Sequence, residues 1–272
     1  MKYDHNLTGK VAVVTGAGGV LCSMFARVLH ENGAQVALLD LNYDAAKSAA
    51  DAIGDGAIAV QANCLEKESL EKAKAAVLDS FGKVDILING AGGNNPRGTT
   101  EDEMYDAQSV KSFFDLDESG IKFVLELNFL GTLLPTQVFA PLMLENEGVI
   151  INVSSMNAFR PLTKIPAYSG AKAAVSNLTE WLAVYFAKSG IRVNAIAPGF
   201  FVTNQNRALL FDGDGNPTPR TEKILRATPM GRFGEAEELC GTLMWLADNK
   251  ASGFVTGTVI PVDGGFSAYS GV

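Results

Sequence analysis

Cysteine is scarce in this chain. Cys22, Cys64 and Cys240 are all it has in 272 residues, odd in number and never in a CxxC pair. That excludes a disulfide framework and a paired-thiolate zinc site, and the three read as reduced thiols. Histidine is scarcer still, at His5 and His30, and no His/Asp/Glu cluster has ligand spacing, so no metal is expected. No apolar run approaches the ~20 residues of a membrane helix, and the opening MKYDHNLTGK is polar where a signal peptide would be apolar. Basic residues are outnumbered, 22 to 30, giving a net charge of −8 with no basic cluster longer than two. An acidic, patch-free surface argues against nucleic acid and anionic membranes as partners. These absences lead us to expect a cytoplasmic protein acting on small molecules.

What is abundant is core-forming residue, 47% of the chain. Short apolar runs at 11–14, 35–40, 57–62, 84–89, 149–153, 191–197 and 258–262 read as strands buried on both faces. Segments 20–32, 44–53, 66–81, 167–189 and 235–248 carry helical spacing. Strands alternating with helices imply right-handed crossovers and a parallel sheet. No linker or internal repeat divides the chain, so residues 1–272 are expected to form one α/β, doubly wound domain. Two polar, turn-rich stretches interrupt the alternation: an insertion at about 93–120, and a segment at about 200–228 that contains FDGDGNPTPR. Both follow a strand, so both should lie at the sheet edge where ligands of open α/β sheets bind. The second reads as a substrate lid.

Three constellations carry chemistry. VAVVTG leads into AGGVLCSMFARVLHENG, and the next strand, QVALLD, ends in Asp40. Glycines at a strand-to-helix turn admit a pyrophosphate, the helix N-terminus offers free N–H groups, and the acid can hold both adenosine ribose hydroxyls. A carboxylate there repels a 2′-phosphate, and neither Leu41 nor residues 17–23 supply a cation to bind one, so NAD is favoured over NADP. Tyr168 and Lys172 lie four apart on one helix face, where an ammonium lowers a phenol's pKa and makes it an acid/base. Upstream, a strand ends at Ser154-Ser155 and brings a hydroxyl to the same edge.

Thr15-Gly16, Asn89-Gly90-Ala91-Gly92, Ser155, Tyr168-x₃-Lys172 and Pro198-Gly199, in that order, resemble the short-chain dehydrogenase/reductase family along essentially the whole chain. The resemblance implies a Rossmann-type, seven-stranded sheet in the order 3-2-1-4-5-6-7, nicotinamide chemistry and a homotetramer. It implies catalytic roles for Asn128 (a water-linked proton relay), Ser155 (holding the carbonyl oxygen), Tyr168 (acid/base) and Lys172. It places the cofactor on Gly16, Gly18, Gly19, Val20, Leu21, Asp40, Leu41, Asn63, Cys64, Asn89, Gly90, Ala91, Tyr168, Lys172, Pro198, Gly199, Phe201 and Thr203.

Two departures stand out. The family's TG-x₃-G-x-G would put glycines at 20 and 22, where this chain has Val20 and Cys22. The loop must therefore differ locally. The interval from Asn89 to Asn128 is also long, and the surplus falls in the insertion beside the substrate cleft. Within the family, TGAGGVLC, NGAGGNNP, APGFFVTNQNR and the tail DGGFSAYSGV are similar to the short-chain type of D-mannonate oxidoreductase (fructuronate reductase), which interconverts D-fructuronate and D-mannonate. A sugar acid needs a cation for its carboxylate and hydrogen-bonding groups for its hydroxyls. Asn94, Arg97, Asn157, Arg160, Lys164, Gln205 and Asn206 are the candidates. The alternatives are another sugar-acid or polyol dehydrogenase, such as a gluconate 5-dehydrogenase, and a non-catalytic NAD-binding regulatory protein.

Overall fold

A computed structural model describes residues 4–144, 146–202 and 207–271. Seven strands form the sheet: β1 (Val11–Thr15), β2 (Gln35–Asp40), β3 (Ala57–Gln61), β4 (Ile86–Asn89), β5 (Val149–Val153), β6 (Arg192–Pro198) and β7 (Val259–Val262). Every pairing is parallel and the order is 3-2-1-4-5-6-7, as the resemblance implies. The central strands are buried throughout, which explains their unbroken Val/Ile/Leu runs; no alternation is needed when both faces are covered. One core fills the face of the sheet where Phe25, Leu29 and Leu243 pack, and a second fills the other around Leu70, Phe139 and Met143.

Helices α1 (Val20–Glu31), α2 (Tyr43–Ile53) and α3 (Lys67–Phe81) connect the first four strands. The next helical stretch has no counterpart among the sequence-derived helices. It begins as α4 (Glu118–Leu125), widens into a π turn over Glu126–Leu130, and resumes as α5 (Gly131–Phe139). The stretch Glu118–Met143 is long and apolar enough to cross a membrane, yet half of its most apolar window is buried inside the fold, as a core helix requires. Pro135 and the π turn break the regular 3.6-residue spacing, which hides the helix from a periodicity reading. Helix α6 (Pro166–Phe186) follows β5, and α7 (Arg207–Leu210) and α8 (Pro219–Ala227) build the described part of the 200–228 segment. The expected helix at 235–248 is a 3₁₀ turn (Ala236–Leu239) running into α9 (Cys240–Ala247), and α10 (Asn249–Ser252) leads towards β7.

A chain of polar groups crosses this otherwise apolar interior. Thr132 donates to the Asn128 carbonyl (2.9 Å) and Thr136 to that of Thr132 (2.8 Å), each bonding back one helical turn. Asn89 donates to Thr136 Oγ1 and to Asn152 Oδ1, each at 2.9 Å, and Asn152 donates to Thr179 Oγ1 at 2.9 Å. Helix α5, strands β4 and β5, and helix α6 are thereby cross-linked at one height in the sheet. Buried polar groups cost free energy unless paired, and here nearly all are. We expect Asn152→Ala, which strips a partner from both Asn89 and Thr179, to cost about 1–3 kcal/mol in urea unfolding.

Candidate active site

Because all seven strands are parallel, Thr15, Asp40, Asn89, Val153 and Pro198 all end at one edge. Helix α1 begins at Val20 with Gly19 as its cap; no side chain caps it and its first turn holds no acid. Its free N–H groups therefore suit an anion. Asp40 braces the turn: its carboxylate accepts from the Gly18 N–H (2.9 Å) and the Asn42 N–H (2.8 Å). Those bonds leave the acid at the loop, where a ribose would meet it, and Leu41 beside it is exposed. Thr15 Oγ1 accepts from the N–H of Gly90 (3.1 Å) and of Ala91 (3.3 Å) and so ties the glycine loop to the β4 exit.

Val20 and Cys22 are accommodated differently. Val20 is 40% exposed, so most of its added bulk lies towards solvent at the mouth of the loop. Cys22 points inward against Gly90, where a β-carbon on residue 90 would lie 2.1 Å from the Cys22 sulfur. The volume missing at residue 90 is the volume added at residue 22. Leu21 packs on the core beneath. Burial pushes the Cys22 thiol up to about 12, against the pull of the Lys172 charge. Cys64 is likewise raised to about 12 by burial, with Thr15 opposing, so neither is a reactive thiolate. Asn63 is spent locally, capping Leu65 N–H and donating to Glu66.

Ser155, Tyr168 and Lys172 converge at the exit of β5. Ser154 turns away to Ser176 (2.7 Å), leaving Ser155 as the hydroxyl near the phenol. Ser155 Oγ accepts from the backbone N–H of Asn157 (3.3 Å) and from its side-chain amide (3.2 Å), which frees its own proton to be donated. Lys172, 4% exposed, donates to the Val153 carbonyl (2.8 Å) and lies 5.7 Å from the Tyr168 ring centroid. Burial lowers its pKa to about 8. Burial raises that of Tyr168, and the Ser155 hydroxyl works against the rise. The Tyr168–Lys172 spacing alone implies a lowered phenol pKa; in the fold burial dominates, and the phenol is raised. Asn128 is fully buried in the π turn and grips Gly93 twice, donating to its carbonyl (2.8 Å) and accepting its N–H (3.2 Å). A β-carbon on Gly92 would sit 2.7 Å from Asn128 Oδ1 and 3.2 Å from Lys172 Nζ, so those two groups flank the same backbone.

The expected substrate residues divide. Asn157 does not face the cleft: it is 6% exposed, and its amide oxygen accepts from Leu162 N–H (3.1 Å) and Ser169 (3.4 Å). It braces Ser155, a role that spacing alone could not distinguish from ligand contact. Asn94 donates to Thr99 and Arg97 to Ser119, on the exposed insertion. Arg160 donates to the Ser267 carbonyl, and Lys164 lies in the connection before α6 in a left-handed conformation (φ 73). Gly199 N–H donates to Val262 O (2.9 Å), holding the β6 exit to β7, and Phe201 is buried beyond it. Thr203, Gln205 and Asn206 lie outside the described residues. The buried Asn152 and the threonine chain carried no sequence signal.

Comparison with known proteins adds context. Residues 19–267 match the family model described as enoyl-(acyl carrier protein) reductase. A Haemophilus influenzae protein provisionally named D-mannonate oxidoreductase, solved with bound NAD, superposes with a TM-score of 0.96 at 60% identity, covering 99% of both chains. A curated H. influenzae relative, named an uncharacterized oxidoreductase, is 60% identical over 276 residues, 99% of this chain and 97% of its own length. The Bacillus subtilis uncharacterized oxidoreductase UxuB is 53% identical, covering 98% of each.

Two predictions follow from this geometry. Gly90→Ala should destabilise the fold by the worth of overpacking, about 1–3 kcal/mol in urea unfolding, and pairing it with Cys22→Gly should recover the part owed to the sulfur, leaving the part owed to the Thr15 carbonyl, 2.9 Å from the added carbon. Lys172 binds its proton to about pH 8 when folded against a reference of 10.5, so between those values the unfolded chain holds the extra proton. Wild-type stability should therefore gain with pH across that window relative to Lys172→Met, as read from urea midpoints at the two ends.

Proposed function

The chain belongs to the short-chain dehydrogenase/reductase family and is an oxidoreductase, and on that premise we propose that it interconverts a keto sugar acid and its hydroxy acid with NAD, D-fructuronate and D-mannonate being the pair. The observation that carries the reading is the convergence of Ser155, Tyr168 and Lys172 at the edge where Gly18 and Asp40 frame the cofactor loop. A relative 60% identical over its full length, solved with NAD and given the mannonate name, supports the choice. Asp40 selects NAD over NADP by repelling a 2′-phosphate.

When bound, the nicotinamide supplies or accepts the hydride. The N-terminus of α1 would hold the pyrophosphate, Asp40 the adenosine ribose, and Lys172 the nicotinamide ribose. In the reducing direction the Ser155 hydroxyl, set by Asn157, donates to the ketone oxygen and fixes its position. Tyr168 delivers the proton to that oxygen as the carbon–oxygen double bond becomes single. Lys172 and the Asn128 turn then return a proton to the phenolate from solvent. A phenol whose pKa is raised gives up its proton only when charge develops beside it, which suits a group that must stay protonated until the ketone is in place.

In this reading the described residues 207–228, through α8, act as a lid on the single domain of 1–272, and the chain assembles as a homotetramer. The exposed Trp181, Val184 and Tyr185 on α6 suit a subunit contact. An equilibrium sedimentation run should give four times the 28.8 kDa chain mass.

A sugar-acid panel with NADH should show turnover of D-fructuronate well above 5-keto-D-gluconate, and NADPH should serve poorly. Tyr168→Phe should lower kcat by about 10²–10⁴-fold with little change in NADH binding. Unchanged turnover would remove Tyr168 from the mechanism.

A further inference from the structure

The two excursions that interrupt the βα alternation meet each other. Glu103, in the insertion, accepts from Lys223 of α8 at 2.8 Å. Next to it, the Thr100 N–H donates to the carbonyl of Lys164 (2.9 Å), tying the insertion to the connection between Ser155 and Tyr168. Lys164 and Arg220 also act on Glu103 through their charges, and with Lys223 they hold its carboxyl below the usual range. One cation thus bonds this carboxylate directly, and two more bear on it through their charges. Neither the Lys164 nor the Arg220 side chain makes a hydrogen bond or ion pair among the described residues.

A cavity of about 190 Å³ opens here, walled by Leu162, Phe200, Ile224 and Phe266, with Glu103, Arg220 and Lys223 at its polar side. A short hydrogen-bonded path links its wall to Ser155. Leu162, in its wall, donates its N–H to Asn157 Oδ1, and the same amide donates to Ser155 Oγ. Phe200 follows directly on Gly199 at the β6 exit. The cavity wall is therefore two hydrogen bonds from the hydroxyl proposed to hold the ketone oxygen.

We propose that Lys164, Arg220 and Lys223 form the subsite for the substrate's carboxylate, with Glu103 standing in as an internal anion that the substrate partly replaces. This rests on the sugar-acid reading above and names the residues that recognise the acid. The charges decide it. The chain carries −8 overall and repels anions at a distance, so a sugar acid needs a local excess of positive charge. Three cations bearing on one carboxylate supply that excess, with an apolar wall beside them for the sugar carbons. An arginine with no other partner can meet a carboxylate through two parallel bonds. Lys164 sits at a left-handed turn whose carbonyl is held by the Thr100 N–H, which fixes this residue against the insertion.

The test compares the double variant Lys164→Ala/Arg220→Ala with wild type on two ligands. With D-fructuronate as substrate, KM should rise about 10- to 100-fold, the worth of lost charge-assisted hydrogen bonds. With D-fructose, a neutral ketose of equal length, the weak turnover should stay the same. Glu103→Gln should lower KM for fructuronate several-fold, an effect that a purely structural ion pair would reverse. A second measurement does not depend on turnover: calorimetric titration of D-gluconate into the NAD-saturated protein should show binding to wild type and its loss in the double variant. Equal losses for acid and neutral ligands, or gluconate binding that the double variant retains or wild type lacks, would overturn the subsite. Failure of wild type to reduce fructuronate while gluconate still binds through these cations would instead overturn the substrate named above.

Discussion

The constraint on which the structure depends is the close approach of backbone at the seam between β1 and β4. Gly92 lies between the Asn128 amide and the Lys172 ammonium with no room for a β-carbon, and Gly90 yields its space to the Cys22 sulfur. Across this seam the cofactor loop, the β4 exit, the π turn and helix α6 touch one another. A methyl group at either glycine would push the proposed acid/base machinery away from the proposed cofactor cradle. Where the family's loop pattern has glycine at residue 22 this chain has a thiol, and the glycine at residue 90 leaves the room that the sulfur fills.

The polar chain from Asn128 through Thr132, Thr136, Asn89 and Asn152 to Thr179 extends this seam into the core. Apolar side chains of the same size would pack without directional demands. Hydrogen bonds of fixed length instead set the height of α5 and α6 relative to β4 and β5, and so the height of Tyr168 above the sheet edge. Burial then tunes the titrating groups in opposite directions, raising the phenol and lowering the lysine to about 8. Precision here comes from positioning, at a cost in desolvation that the surrounding sheet offsets.

Much of this was legible in the residue order. Unbroken apolar runs located every strand, since a parallel sheet buries both faces, and the strand order followed from the family resemblance carried by Tyr168, Lys172, Ser155 and Asn89. Asn128 was named through that resemblance while its helix went unread, because a π turn and Pro135 spoil the spacing on which helices are recognised. Asn157 looked like a cleft residue since it follows Ser155 so closely; only three dimensions reveal that its amide is consumed by Ser155, Leu162 and Ser169. The Cys22–Gly90 exchange and the cations around Glu103 pair residues 68 and 120 positions apart, which no local pattern can connect.

The central claim is that this edge carries hydride chemistry on a sugar-acid ketone. Reduction of D-fructuronate with NADH carrying deuterium at both nicotinamide C4 positions, followed by NMR of the product, tests it most directly. The account predicts D-mannonate with deuterium on the new carbinol carbon. Absence of product, or product with no deuterium at that carbon, would contradict it.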